Sequence, residues 1–127
     1  SAGREERSRY LNRRKTGTGY EELAAAWLEQ RGYEILERNF RTRKGEIDLV
    51  ARHRGYLVFV EVKYRKNRNS GAPEEAVDRR KQRRIMEAAR VYLALHGYRP
   101  DWSMRFDVAA IEGEQIRVIE NAFGDGF

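Results

Sequence analysis

The sequence contains no cysteine. That excludes disulfide frameworks, zinc–thiolate sites, iron–sulfur clusters and thiol nucleophiles. It also fits a reducing compartment, so a cytoplasmic location is expected. Histidine is scarce too. His53 and His96 stand alone, without metal-ligand spacing, and are expected on the surface at the ends of elements. Long apolar runs are missing: Tyr56–Val60, like every other run, is far too short to cross a bilayer. No signal-peptide-like apolar region is present, and no membrane partner is expected. There is no GxSxG, no Walker loop and no GxGxxG, and Ser8, Ser70 and Ser103 have no histidine near them in sequence. Nucleophilic serine chemistry and nucleotide cradles are therefore disfavoured.

What is plentiful is charge. The chain has 127 residues, with 26 Lys and Arg against 20 Asp and Glu, a net charge of +6. That length suits one compact domain, which can bury about two-thirds of its unfolded surface without staples. The charge lies in blocks. Residues 1–15 hold six basic and two acidic side chains with little apolar content, so 1–16 is expected to be a disordered basic arm and 17–127 a single domain. Residues 38–90 hold sixteen basic and seven acidic side chains, a balance of +9, interleaved with the best strand signals. Those cations must project from a folded surface, which points to a polyanionic partner.

Tyr20, Leu23, Ala24, Trp27 and Leu28 share a helical face, which predicts a helix over about 18–31, stopped by Gly32. Strands follow at Tyr33–Phe40, Glu46–Arg52 and Tyr56–Tyr64, the last two joined by a turn at His53-Arg54-Gly55. After a polar loop at Arg65–Pro73, a long helix is expected over about 74–96, with Glu74, Glu75 and Asp78 in its first turns. Arg105–Ile111 is a fourth strand, and a short one, Gln115–Ile119, follows a turn. The order predicts an α/β sandwich with a mixed sheet, the second helix crossing between strands three and four. Trp102 and Phe106 are expected to pack rather than stack on bases.

One stretch carries chemistry. A hairpin about Arg54 that pairs residue 52 with 57 also places Asp48 across from Glu61. Alternation puts Glu46 on the face of Asp48, and Lys63 on the face of Glu61. Opposed carboxylates repel unless a cation lies between them. Mg²⁺ accepts one or two carboxylates plus waters and phosphate, and a nearby lysine suits a phosphate or an attacking water. The plainer reading is a pair of surface charges matched by nearby Arg or Lys. Glu61 and Lys63, however, continue an apolar run that looks central in a sheet. On the first helix Glu21 falls at the margin of the apolar face, able to lean over the sheet, while Glu22 points to solvent. On the second, Lys81 sits in the stripe of Val77, Ile85, Ala88, Ala89 and Tyr92. It either snorkels to the edge or turns into the same cleft, which Gln82 could also approach.

With these residues in view, the chain resembles the UPF0102 family, also called YraN-like proteins, over about residues 17–123. The matching pieces are Glu21-Glu22-Leu23-Ala24-Ala25 with Trp27-Leu28, Gly32-Tyr33, Ile35-Leu36 and Asn39. They continue with Gly45-Glu46-Ile47-Asp48-Leu49-Val50, Val58-Phe59-Val60-Glu61-Val62-Lys63, Arg65, Lys81, Arg105-Phe106-Asp107-Val108 and Asn121-Ala122-Phe123. That family is similar to archaeal Holliday-junction resolvases and belongs with the PD-(D/E)xK nuclease superfamily. The resemblance implies a restriction-endonuclease-like αβββαβ core. It matches Asp48 to the motif aspartate, Glu61 to the second acid, Lys63 to the lysine and Glu21 to the helical glutamate. Tyr20 departs from the small residue common before that glutamate.

The expected function is therefore a Mg²⁺- or Mn²⁺-dependent endonuclease hydrolysing phosphodiester bonds in DNA, possible substrates including branched DNA such as a Holliday junction or flap. Asp48, Glu61, the Val62 backbone carbonyl and Glu21 would hold the metal, and Lys63 would orient the water. Arg43, Lys44, Arg65, Lys66, Arg68, Lys81 and Arg84 would grip the DNA backbone. Resolving a junction takes two cuts, which suits a homodimer. The alternatives are a non-catalytic nucleic-acid-binding module with the same fold, and an interaction protein whose basic surface meets an acidic partner.

Overall fold

A computed structural model describes residues 18–66, 77–99, 101–125 and 127. The arm expected over 1–16 and the loop residues 67–76, including Arg68, Glu74 and Glu75, lie outside the described residues. The chain runs α1 (Thr18–Glu29), β1 (Glu34–Arg41), β2 (Glu46–His53), β3 (Tyr56–Arg65), α2 (Arg79–His96), β4 (Met104–Glu112), β5 (Gln115–Phe123). The five strands form one sheet in sequence order. Every neighbouring pair is antiparallel except β3 and β4, which are parallel and joined through α2. Among the described residues no helix is long and apolar enough to cross a membrane.

The helices cover opposite faces of the sheet. Ala24, Ala25 and Leu28 of α1 pack with Leu49, Ala51, Val58, Val60, Ala109 and Ile111. Ile85, Ala88, Ala89 and Tyr92 of α2 pack with Val50, Leu57, Phe59, Phe106 and Val108. Phe59 and Val60 are therefore both fully buried, one under each helix, which is why β3 reads as an unbroken apolar run. This is the layering and order of a restriction-endonuclease-like αβββαβ core, with β5 added at one edge.

Local chemistry explains the boundaries. Gly32 ends α1 at φ 90°, and the Tyr33 amide returns to the Leu28 carbonyl. The β2–β3 turn is the two residues Arg54-Gly55, at φ 50° and 83°, the mirror-type geometry that suits a twisted hairpin. His53 thus belongs to β2. The second helix begins at Arg79 rather than 74, because Asp78 caps it by accepting from the Lys81 amide at 2.8 Å. β5 is nine residues long, not the short piece expected. The polar pair Glu120-Asn121 interrupts its apolar alternation. The ladder to β4 shifts there, and Asn121, at φ 53°, gives its amide to Asp107 instead of to a backbone carbonyl.

Candidate active site

The β2–β3 rungs run from His53↔Tyr56 to Leu49↔Val60. The next pair in that register is Asp48 opposite Glu61, as the sequence predicts, and there the two strands part. The Asp48 carboxylate, not a backbone carbonyl, accepts the Val62 amide at 2.7 Å. β2 stays joined to β1 beyond this point, through Phe40↔Ile47 and Arg41↔Glu46. The side-chain pattern also turns here: Leu49 belongs to the core under α1, Ile47 to the core under α2. Asp48 therefore sits at a fork in the sheet within reach of both helices.

Gly45 sets how close the fork lies to α2. A Cβ built there would be 2.2 Å from the Arg84 carbonyl oxygen, so only glycine lets the two backbones meet. The preceding turn is tied by Thr42, whose hydroxyl accepts the Lys44 and Gly45 amides at 3.1 Å. With α2 held there, Lys81 turns inward. Its Nζ lies 2.9 Å from Glu61 Oε1, and Glu61 is only 4% exposed. Of the two alternatives for Lys81, the structure takes the cleft. Gln82 instead donates to the Val77 carbonyl, just ahead of its own helix.

Burial and the facing charge of Glu61 push the Asp48 carboxyl up to about 7, against the pull of the Val62 amide and Lys81. Hydrogen bonding to Glu61 works in the same upward direction. Burial works against the Lys81 charge, but its bond and attraction to Glu61, helped by Asp48 and Glu46, outweigh it and raise its pKa. Glu21 is half-buried at the rim. Its carboxyl is raised by burial and then by Asp48, and a hydrogen bond with Asn39 opposes this. Asn39 is a neighbour that side-chain reasoning from sequence did not place at the site. A polar residue in an alternating strand was the available signal; its positive φ of 53° is seen only in the fold.

The donor set can be tested against a divalent cation. Among the described residues no three Asp, Glu or His side chains close on one metal-binding point. Two carboxylates do meet, half-buried Asp48 and buried Glu61, and their repulsion raises the Asp48 carboxyl even with Lys81 beside them. That suits Mg²⁺ or Mn²⁺, which take few protein oxygens and keep waters. Glu21 stands as an outer neighbour.

Other expected residues fall as follows. Lys63 is half-buried on the face of Glu61, but the ammonium that meets Glu61 is that of Lys81. Arg43, Lys44, Lys66 and Arg84 are exposed. Arg65 is not a free surface cation: it is 8% exposed, on the central strand beside Glu112 of β4. Its place as a backbone grip is corrected accordingly. Glu22 is half-buried rather than solvated. Phe106 packs in the core, while Trp102 is exposed on one side and meets Tyr98 edge-on at 4.4 Å.

His53 is also not where scarcity and position suggested. It is buried, stacked on Tyr33 at 3.9 Å between ring centres, within a polar network under α1. Arg105 Nη2 lies 2.8 Å from His53 Nδ1, and a guanidinium can only donate, so Nδ1 is the unprotonated nitrogen. Burial, then the Arg105 charge, lowers the His53 pKa. Asp107, wholly buried, accepts from Arg105 Nε and Nη2 at 2.8 Å each, from Tyr33 Oη at 2.8 Å and from the Asn121 amide at 2.9 Å. This network ties β2, β4, β5 and the end of α1 together. It accounts for the Arg105-Phe106-Asp107 stretch as a structural clamp away from the fork.

Fold and fork together define a restriction-endonuclease-like α/β protein with a facing acid pair and a paired lysine where strands two and three separate. The chain belongs to the UPF0102 family: the model described as "Uncharacterised protein family UPF0102" matches residues 20–111. It is similar to a "UPF0102 protein" of Lachnoclostridium phytofermentans, 50% identical over 113 residues, covering 89% of this chain and 96% of that one. It is also similar to the "UPF0102 protein" of Cytophaga hutchinsonii, 47% identical over 104 residues (80% and 88% covered), and that of Halorhodospira halophila, 46% identical over 110 residues (87% and 88%).

Proposed function

We propose that this protein is a Mg²⁺- or Mn²⁺-dependent phosphodiester hydrolase acting on DNA, with branched DNA as the preferred form. The observation that carries the reading is the Asp48–Glu61 pair, a half-buried and a buried carboxyl facing each other beside Lys81 at an open fork. A protein seldom keeps such a pair for stability, since apolar residues would serve better. Asp48, Glu61 and the Val62 carbonyl would hold the cation, with Glu21 at its rim. Once bound, the cation would supply Lewis-acid neutralisation of the phosphoryl charge. Lys63 would orient the attacking water, and Lys81, released from Glu61, would meet a non-bridging phosphate oxygen. Cutting both strands of a junction calls for two copies of the site, hence a homodimer.

A second reading is a nucleic-acid-binding module without cleavage. The observation in its favour is that Lys81 already neutralises Glu61 without a metal. One experiment separates the two. The protein is incubated with linear, flap and four-way DNA in Mg²⁺, Mn²⁺ or EDTA, beside Asp48→Ala and Glu61→Ala. Metal-dependent cleavage lost in both variants is the expected result. Cleavage that survives in both sinks the site assignment, and binding without cleavage under either metal selects the module.

A further inference from the structure

The first three turns of α2 and its middle carry Arg79, Arg80, Lys81, Arg83, Arg84 and Arg90. Two hollows flank this face. One, of about 350 Å³, is lined by Glu46, Asp78, Arg80, Lys81, Arg84 and Ile85. The other, of about 450 Å³, is lined by Lys44, Arg80, Arg83, Arg84, Glu87 and Arg90, with Met86. They share Arg80 and Arg84, so they form one groove. Its inner end is Lys81, the residue that touches Glu61; its outer end is Arg90. At 1.5 Å per residue, Lys81 to Arg90 spans about 13 Å, the rise of about four base pairs.

The groove is built rather than incidental. The backbone contact of Gly45 on Arg84 holds the β1–β2 turn, with Lys44, against the helix. Glu87 takes Arg90 at 2.7 Å and Lys44 at 3.8 Å, and so fixes a cation on each side of the outer hollow. Among the described residues Arg80, Arg83 and Arg84 are exposed and form no ion pair. Guanidinium groups in a row suit the planar, bidentate geometry of phosphates. Ile85 and Met86 are the apolar residues among those that line it, the rest being charged, and it is longer than a single anion needs.

We propose that this groove is a track for the phosphate backbone of duplex DNA, seating the flank of the substrate beside the fork through Arg80, Arg83, Arg90 and Lys44. It rests on the nuclease reading for where the track leads, but its own binding needs neither metal nor cleavage. The test is fluorescence anisotropy of a labelled 30-base-pair duplex in EDTA, from 50 to 200 mM salt. Wild type is compared with Arg83→Gln/Arg90→Gln and with a control pair of exposed cations elsewhere, Arg52→Gln/Arg99→Gln. Thermal melts confirm that all three are folded, since exposed substitutions of this kind shift stability by only about 0.5 kcal/mol. The groove pair is expected to lower the slope of log affinity against log salt by about two, and affinity at least about tenfold at 100 mM, with the control pair unchanged. Equal losses in both pairs, or none in the groove pair, overturn the proposal. Tighter binding to polyglutamate or to vesicles of anionic lipid than to duplex at matched salt also overturns it, in favour of an acidic protein or a membrane surface. A wild type that never cleaves but shows the slope change leaves the track standing while the nuclease reading fails. A wild type that cleaves, with a groove pair that binds as tightly, does the reverse.

Discussion

Asp48→Asn should make the metal-free protein more stable, and more so as pH rises. The isosteric amide keeps an oxygen for the Val62 amide, 2.7 Å away in the wild type, but carries no charge to oppose Glu61. In the folded wild type the Asp48 carboxyl is pushed up to about 7 from an ordinary 3.8. The folded state therefore holds this proton more tightly than the unfolded chain does. Stability tied to it is fully present below about pH 3.8. It falls by up to about 1.4 kcal/mol per pH unit as pH climbs towards 7, and is flat above. Three such units give a ceiling of about 4 kcal/mol, and the expected gain is about 2–4 kcal/mol at pH 8. For a domain of this size that is a Tm rise of roughly 8–15 °C. The assay is a set of thermal melts of wild type and Asp48→Asn at pH 4, 6 and 8 in EDTA. The difference should be near zero at pH 4 and largest at pH 8. Millimolar Mg²⁺ should raise the wild-type Tm at pH 8 and leave the variant almost unmoved. A variant less stable than wild type at pH 8, or a difference that does not grow with pH, would refute the claim that these carboxyls strain the fold.

Two further predictions concern what positions the fork. Asp107→Ala strips Arg105, Tyr33 and the Asn121 amide of their shared acceptor and leaves the buried guanidinium only the half-exposed Glu120, 3.2 Å away, as a counter-charge. The expected loss is about 3–5 kcal/mol, a Tm drop above about 10 °C, and a melt within a few degrees of wild type would show the network to be dispensable. Gly45→Ala forces a methyl group into the Arg84 carbonyl. It should cost about 1–3 kcal/mol and weaken the Lys81–Glu61 contact by moving α2 away, which a melt and a lysine Nζ NMR signal would report; an unshifted signal with full stability would contradict the close approach.

Much of the site was legible because a two-residue turn leaves little freedom in a hairpin. Once Arg54-Gly55 is the turn, 52 pairs with 57 and Asp48 must face Glu61. Glu21 followed from helical angles, since a margin position on α1 can only lean towards the sheet it covers. Other residues were not legible, for a common reason: a side chain's partners come from distant segments. Lys81 had two equally good local choices, and the contact of Gly45 with Arg84 decided between them. Arg65 looked like one more cation after a strand, yet on the central strand, beside Glu112 of β4, it is buried. His53 looked like a turn residue, but Tyr33 and Arg105, 20 and 52 positions away, enclose it. The true length of β5 was hidden because Asp107 takes over an amide bond that a regular ladder would have made with backbone.

By itself, then, the sequence determined the element types, the register of the β2–β3 hairpin and the family, because each of these rests on local periodicity, turn chemistry or contiguous motifs. It also determined that the surplus of positive charge lies over 38–90. Only the tertiary structure decided where strands two and three part, which lysine meets Glu61, and that the α2 cations line a groove ending at that lysine. Those are matters of distances between segments: the Asp48 carboxylate takes the Val62 amide where the strands part, and a backbone contact that a glycine permits holds α2 against the fork.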